Sequence, residues 1–487
     1  MEKNCLFKMK EFLRRPDQLG NIAAVLVFIF ILFIRLTKIP ELFYFGIDEE
    51  YQSFLGWSLV KNFHLIWIGL SVADTGFYLG PGLVYLHALL LFISKGDPVI
   101  LAYSAAVIGI ITSTVIYLVS TNLFNRQVGF IALIFYGLSA FMNYFDRRFW
   151  NPTTITLISL LVFYSFCKVQ KNPYWWVAVT FLLGLIFHTH ASLFVYIFIA
   201  ILIGIRYLKT KKILPIKVII FSFLTGVSLY SPLIAFDIAK NFENLKAPIR
   251  LLTRVGDSGG VQIFDHLAIV LSTLSRSLVD DYSLQIMVIF TVLFLYGYYF
   301  VRFRKQAKKN EAITVLFLCL GIFMLSLIIF PGKIYDYYVL GIVPLFYIFV
   351  AYLLSKLPKK FITLSIVGFL FLNISLIWNL DTDHGLIKKK HFIQKVSTHL
   401  NGRQFYLDTA DQYVFNGGWR YLFKMYGQTP VSSRADEMFG WIYPEELSNI
   451  SPRYYVVIGK KEIDSPKPPT IIRSKPYSAQ IYEISSQ

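Results

Sequence analysis

Apolar positions in this chain fall in long unbroken runs separated by short polar or basic stretches, and the runs recur along the first 380 residues. A helix of about 20 apolar residues crosses the roughly 30 Å hydrocarbon core of a bilayer. The pattern predicts eleven such helices, at 19–40, 98–121, 127–144, 152–170, 174–190, 192–208, 214–235, 284–303, 312–331, 337–355 and 361–380. Segment 41–97 is no simple loop. Glu50 to Phe63 and Gly82 to Ser94 both read as helices, yet a helix of about 13 residues reaches only about 20 Å. They suit amphipathic helices lying in the interface; if 82–94 spanned instead, the direction of every later helix would reverse.

A second long connection, 236–282, carries Arg250, Arg254, Gly256-Asp257-Ser258-Gly259-Gly260, Asp265 and His266. Its glycine-rich centre reads either as a mobile loop over a site or as a plain connector. The last hundred or so residues change character. Lys388-Lys389-Lys390 open a helix-like stretch, and strand-like runs follow at Gln404 to Leu407 and Tyr454 to Ile458, which predicts a small α/β domain.

Composition agrees with a membrane protein: 56% of the 487 residues are hydrophobic and 17% aromatic, against about 45–50% apolar in soluble chains. The net charge of +18 invites a nucleic-acid partner, but its distribution argues against one. The basic residues gather at Lys3 to Arg15, Arg126, Lys168 and Lys171, Arg206 to Lys217, Arg302 to Lys309 and Lys356 to Lys360. These are alternate connections, so the excess is the positive-inside signal. It places the N-terminus in the cytoplasm and, with an odd number of spans, the C-terminal segment outside. The first span ends in Arg35 and Lys38 without a small-residue cleavage site, as an uncleaved anchor does. Cys5, Cys167 and Cys319 lie in the tail or in spans and offer no disulfide framework.

The expected fold is therefore an all-α polytopic membrane protein of about eleven transmembrane helices, with interfacial helices in the first outer loop. Residues 1–18 form a basic cytoplasmic tail, 19–380 the membrane domain with outer loops 41–97 and 236–282, and 381–487 an extracytoplasmic α/β domain. No internal repeat is evident, which weakens a two-fold transporter architecture.

Candidate chemistry collects on the predicted outer side. Asp48-Glu49-Glu50 follow the first span directly. Three carboxylates there either cap a helix, favoured by its dipole, or hold a general base at the bilayer surface. The loop Asp146-Arg147-Arg148 carries two arginines against the positive-inside trend. Arginine suits bidentate phosphate binding, although one could simply pair with Asp146. His188-Thr189-His190 ends the fifth span; without a third ligand nearby a zinc site is disfavoured. Lys333 and Tyr337 lie in a tyrosine-rich loop, either as an aromatic belt or as contacts to an anionic head.

At these residues the chain resembles the GT-C superfamily of polyprenyl-phosphate-sugar glycosyltransferases, in particular protein O-mannosyltransferases and the aminoarabinose transferases of lipid A. The resemblance rests on the Asp-Glu pair after span one, Tyr78-Leu79-Gly80-Pro81-Gly82, the arginine-bearing loop after span three and the tyrosine-rich loop before span ten. It implies transfer of one sugar, with inversion, from a polyprenyl phosphate to an outer-face protein, lipid or glycan. Asp48 would be the base and Glu49 the second acid. Arg147 or Arg148 would steady the leaving phosphate, with Asp146, His188, His190, Lys333, Tyr337 and Arg254 as further donor-site candidates. The family usually has two prolines, often after His or Lys, where this chain has Gly80-Pro81, so another cation must meet the phosphate.

The resemblance implies no metal or other cofactor. The lipid bilayer and a lipid-linked sugar are the expected partners, in a multi-pass protein of a prokaryotic plasma membrane. Trp175-Trp176 is not followed by Asp, so the metal-dependent oligosaccharyltransferase branch is disfavoured. A transporter or flippase, and a non-catalytic scaffold of the same fold, are the competing expectations.

Overall fold

The computed structural model describes residues 16–72, 75–211, 213–247, 263–307, 310–447, 452–460 and 468–484. Fifteen α-helices of six or more residues lead to the C-terminal domain among these residues: α1 (Pro16–Leu36), α2 (Ile47–Lys61), α3 (Gly82–Ser94), α4 (Val99–Leu123), α5 (Arg126–Leu138), α6 (Ala140–Phe145), α7 (Ile155–Lys168), α8 (Trp175–Ile186), α9 (Val195–Lys211), α10 (Ile216–Ala239), α11 (Ile263–Leu278), α12 (Tyr282–Ala307), α13 (Glu311–Ile328), α14 (Val343–Leu354) and α15 (Lys359–Trp378). A short helix, Ile39–Leu42, follows α1. Five helices are long and apolar enough to cross a bilayer, and six shorter apolar ones accompany them. Their side chains are apolar on lipid-facing and buried faces alike, as an integral multi-pass membrane protein requires.

Each predicted span coincides with helix. Breaks occur where side chains offer the backbone another partner. The third span splits at Ser139, whose hydroxyl accepts from Met142 N at 3.2 Å and starts α6. In α10, Pro232 cannot donate to the Ser228 carbonyl, and the Ser231 hydroxyl donates to it instead at 2.8 Å. The second long connection holds a helix that composition hid: α11 buries His266, Val270, Thr273, Leu274 and Ser277 along one face. Arg250, Arg254 and the glycine-rich run lie outside the described residues.

The C-terminal domain begins with α16 (Leu386–Leu400) and contains α17 (Trp419–Tyr426). Its strands β1 (Phe405–Thr409), β2 (Ser432–Ser433), β3 (Tyr454–Gly459), β4 (Thr470–Ser474) and β5 (Tyr477–Glu483) form one sheet in the order β2-β1-β3-β5-β4. β1 runs parallel to β2 and β3, with Phe405 opposite Tyr454, while β5 is antiparallel to β3 and β4.

Two hydrophobic cores organise the chain. One joins the bundle helices around Phe135, Phe163, Phe323 and Tyr347. The other runs without interruption from the first-loop residues Phe43, Phe45, Phe54 and Leu83 into Phe392, Trp419, Leu422 and Val456 of the C-terminal domain. The helix carrying the three adjacent acids is thus built into the domain beyond the membrane part.

Candidate active site

Asp48, Glu49 and Glu50 occupy the first turn of α2. Successive helical residues point about 100° apart, so three neighbouring carboxylates face three directions. Gly46 is the N-cap, and a Cβ there would lie 2.9 Å from the Tyr44 ring and 3.2 Å from Glu49 Oε2. Glu49 reaches back to accept from Gly46 N at 3.1 Å, the second half of a capping box. Capping therefore falls to Glu49 and not to Asp48.

Glu49 is fully buried and is held from the bundle side by Arg148, with Nε to Oε1 at 2.9 Å and Nη2 to Oε2 at 3.0 Å. Arg148 lies over the Trp150 ring, with Cζ 3.9 Å from its centroid, and 5.3 Å from that of Tyr44. The ion pair holds the Arg148 guanidinium well above its ordinary pKa despite burial. Glu50 turns the other way and accepts from Tyr421 N of α17 at 2.9 Å.

Asp48 remains. It is half-buried, and among the described residues none donates a hydrogen bond to it or pairs with it within 4.0 Å. Burial, and then the neighbouring Glu49, push its carboxyl up to about 6, with Arg148 opposing. That is a carboxylate poised to exchange a proton near neutral pH.

Around it stands an aromatic wall. Tyr337 lies within electrostatic reach of Asp48 and packs edge-on against Trp150 at 5.1 Å. His190 packs against Tyr337 and Tyr338 at 5.7 and 5.4 Å, and its Nδ1 accepts from Ser192 N to start a 3-10 turn. Tyr335 stacks on Tyr337 at 5.6 Å, and exposed Lys333 sits 5.2 Å from the Tyr335 ring centroid. Trp150 Nε1 is buried and has no hydrogen-bond partner among the described residues. A small cavity lined by Asp146, Trp150, Thr153, Thr156 and Leu340 lies beside this wall.

The other candidates are engaged in the frame. Asp146 forms a buried ion pair with Arg35 at the end of α1, inside α4's reach at Gly109. Arg147 donates to Asn143 O at 2.8 Å and to Ile34 O at 2.9 Å, closing the C-terminal end of α1. His188 accepts from Gly82 N at 3.1 Å through Nδ1 and donates to Leu229 O at 2.8 Å through Nε2, which fixes one neutral tautomer. Its ring rests on Gly80 and Gly82, where a Cβ would lie 2.3 and 3.1 Å from the nearest ring atom. His188 thus fills the space beside the Gly80-Pro81 segment. Arg254 lies outside the described residues.

Periodicity overlooked three residues here: Arg35, Trp150 and Lys389. Lys389 is fully buried, donates to Phe45 O and Gly417 O at 2.8 Å each, and is pushed down to about 7 by that burial. The signal for it exists: Leu386, Lys389, Ile393, Val396 and Leu400 form one helical stripe. Among the described residues no three His, Cys, Asp or Glu side chains converge as a metal ligand set.

The sequence family described as dolichyl-phosphate-mannose-protein mannosyltransferase matches residues 80–236, a stretch that starts beyond Asp48. No curated protein matches the chain in sequence. The fold is similar to ArnT from Cupriavidus metallidurans. The undecaprenyl-phosphate-bound form superposes with TM-score 0.59 at 11% identity, and the apo form with 0.61 at 9%; each covers 94% of this chain and 97% of that one. An Archaeoglobus fulgidus oligosaccharyltransferase, AglB, superposes with TM-score 0.47 at 9% identity over 89% of this chain and 69% of its own. The chain thus resembles GT-C glycosyltransferases of the O-mannosyl and aminoarabinose type in sequence family and in fold.

Proposed function

We propose that this chain is an inverting membrane glycosyltransferase that moves one sugar from a polyprenyl phosphate to an acceptor on the outer face of a prokaryotic plasma membrane, with Asp48 as general base. The observation that carries the reading is the division of labour in α2: Glu49 is held by Arg148 and Glu50 by Tyr421 N, while among the described residues Asp48 has no hydrogen-bond or ion-pair partner and stands before Arg148, Trp150 and Tyr337. The ArnT fold supports it, because one of those structures holds undecaprenyl phosphate.

In this reaction Asp48 takes the proton of an acceptor hydroxyl or amine as that atom attacks the anomeric carbon. The bond from that carbon to the phosphate oxygen breaks, polyprenyl phosphate departs with the electron pair, and the carbon inverts. Charge grows on the departing phosphate. Arg148 still has Nη1 to offer it, since Glu49 takes only Nε and Nη2. Lys333 is the other cation at the aromatic wall. Fixed donors aimed at developing charge are the largest single contribution such a site can make. No metal is required, because proton removal and phosphate stabilisation are both provided by side chains. The expected eleven spans with an outer C-terminal domain would give the topology this chemistry needs.

The test is turnover of purified protein in lipid with a panel of radiolabelled polyprenyl-phosphate sugars and an envelope extract. Release of polyprenyl phosphate with label transferred as the opposite anomer supports the reading. Retention of configuration, or substrate crossing the bilayer intact in proteoliposomes, contradicts it.

A further inference from the structure

The first turn of α17 has no cap of its own. Its N-cap residue is Gly418, at φ 69° with no side chain, and a Cβ there would lie 2.6 Å from the Phe45 ring. The missing acceptor comes from the first outer loop: Glu50 Oε1 takes Tyr421 N at 2.9 Å. A carboxyl oxygen at a helix N-terminus satisfies an orphan donor; burial raises the Glu50 carboxyl to about 7, opposed by the Tyr421 N–H, Arg420 and Lys389.

The same two segments are pinned together again on both sides of that bond. Lys389 bridges Phe45 O and Gly417 O. Leu386 N donates to Phe43 O at 3.0 Å, and Tyr421 Oη donates to Gly96 O at 2.9 Å. Gly385 crosses so close to the chain that a Cβ would lie 1.6 Å from Glu41 O. Apart from the bond to Gly96, which follows α3, these contacts span Glu41 to Glu50, the stretch that ends in the three acids.

We propose that the C-terminal domain positions the general base, with Glu50 and Lys389 as the positioning residues that hold α2 against it. The inference rests on the glycosyl-transfer reading above. Asp48 and Glu50 share one helical turn, so whatever fixes Glu50 fixes the direction of Asp48. A displacement of about 1 Å at such a site lowers turnover about 100-fold.

Three full-length variants test it, each with two readouts: kinetics with the polyprenyl-phosphate sugar that the wild type uses, and amide hydrogen exchange at residues 46–52. Glu50→Gln keeps an acceptor oxygen for Tyr421 N and should stay within about threefold of wild-type kcat. Glu50→Ala should lose about tenfold or more in kcat at a donor KM within about twofold, and exchange at 46–52 should rise about fivefold. Its acid limb should also move to higher pH, because α2 drifting from Arg148 removes the group that favours ionised Asp48; Glu49 also faces Asp48 and opposes its ionisation, while the nearby Tyr337 phenol is uncharged in this range. Lys389→Met, which keeps an unbranched apolar side chain without the ammonium, should reproduce the pattern if Glu50→Ala does not fold. Wild-type kcat, pH profile and exchange in the folded variants would overturn the proposal. If the wild type itself transfers no sugar while exchange still rises, glycosyl transfer fails and the clamp is structural only.

Discussion

Arg148 grips Glu49 with two nearly parallel hydrogen bonds, 2.9 and 3.0 Å long, so that the second acid of the Asp-Glu pair is a fixed element and the first is left free. The pair is buried on the Glu49 side, where removing one partner strands a charge and costs about 3–5 kcal/mol. Arg148→Ala should therefore lower both the melting temperature and turnover. Arg148→Lys should not rescue it, because an ammonium cannot span both carboxylate oxygens and lacks the planar guanidinium that lies over Trp150. Thermal melts and kcat measured in parallel check this.

Turnover should fall as pH drops below about 6, tenfold per unit at the steepest, because the base must be ionised and burial holds its carboxyl up to about 6. Glu49 contributes to that rise, so Glu49→Gln should move the acid limb to lower pH. A pH–rate profile of wild type and variant decides; an unmoved limb removes Asp48 from the role of base. The sign for stability runs the other way. A carboxyl raised in the folded state is costly when ionised, so Asp48 lowers stability progressively from about pH 4 to 6, by at most about 3 kcal/mol. Asp48→Asn should melt at the wild-type temperature or above it at pH 7.

Gly80→Ala should destabilise the protein by about 1–3 kcal/mol, since its Cβ would meet His188 Nδ1 at 2.3 Å. His188→Ala alone should also destabilise it, by orphaning Gly82 N. The double variant should cost less than the sum, because the second change clears the space the first one needs. A double-mutant cycle on melting temperatures checks this, and strict additivity contradicts the contact.

Asp146→Asn should lower stability and activity together, by contrast with Asp48→Asn. It leaves Arg35 buried at 1% exposure without its counter-ion, a cost of about 3–5 kcal/mol. Gly109→Ala should have the same signature, because its Cβ would press on both partners. Loss of turnover with an unchanged melt in Asp146→Asn would move that residue from the frame into the chemistry.

Much of this architecture is legible in the chain because a bilayer demands long apolar helices and sorts charge by side. α10 and α13 could be nothing else. What periodicity cannot give is the partner of a charge. Asp146 sits beside two arginines yet pairs with Arg35, 111 positions away, and Arg148 skips it for Glu49, 99 positions away. Nor does a run of three acids reveal which one is free, since that depends on what packs around one helical turn. Lys389 was the recoverable case: its neighbours Lys388 and Lys390 lie off the buried stripe, and Lys389 lies on it. α11 was masked by the glycines before it, although its own residues alternate with helical period.

Asp48 as the general base stands or falls with sugar transfer from the polyprenyl-phosphate donor panel by wild type and Asp48→Asn, both purified in lipid. Release of polyprenyl phosphate and transfer of label by wild type, with at least about 1000-fold less by a variant of equal melting temperature, is the expected result. Transfer by Asp48→Asn at the wild-type rate would contradict the assignment of the base.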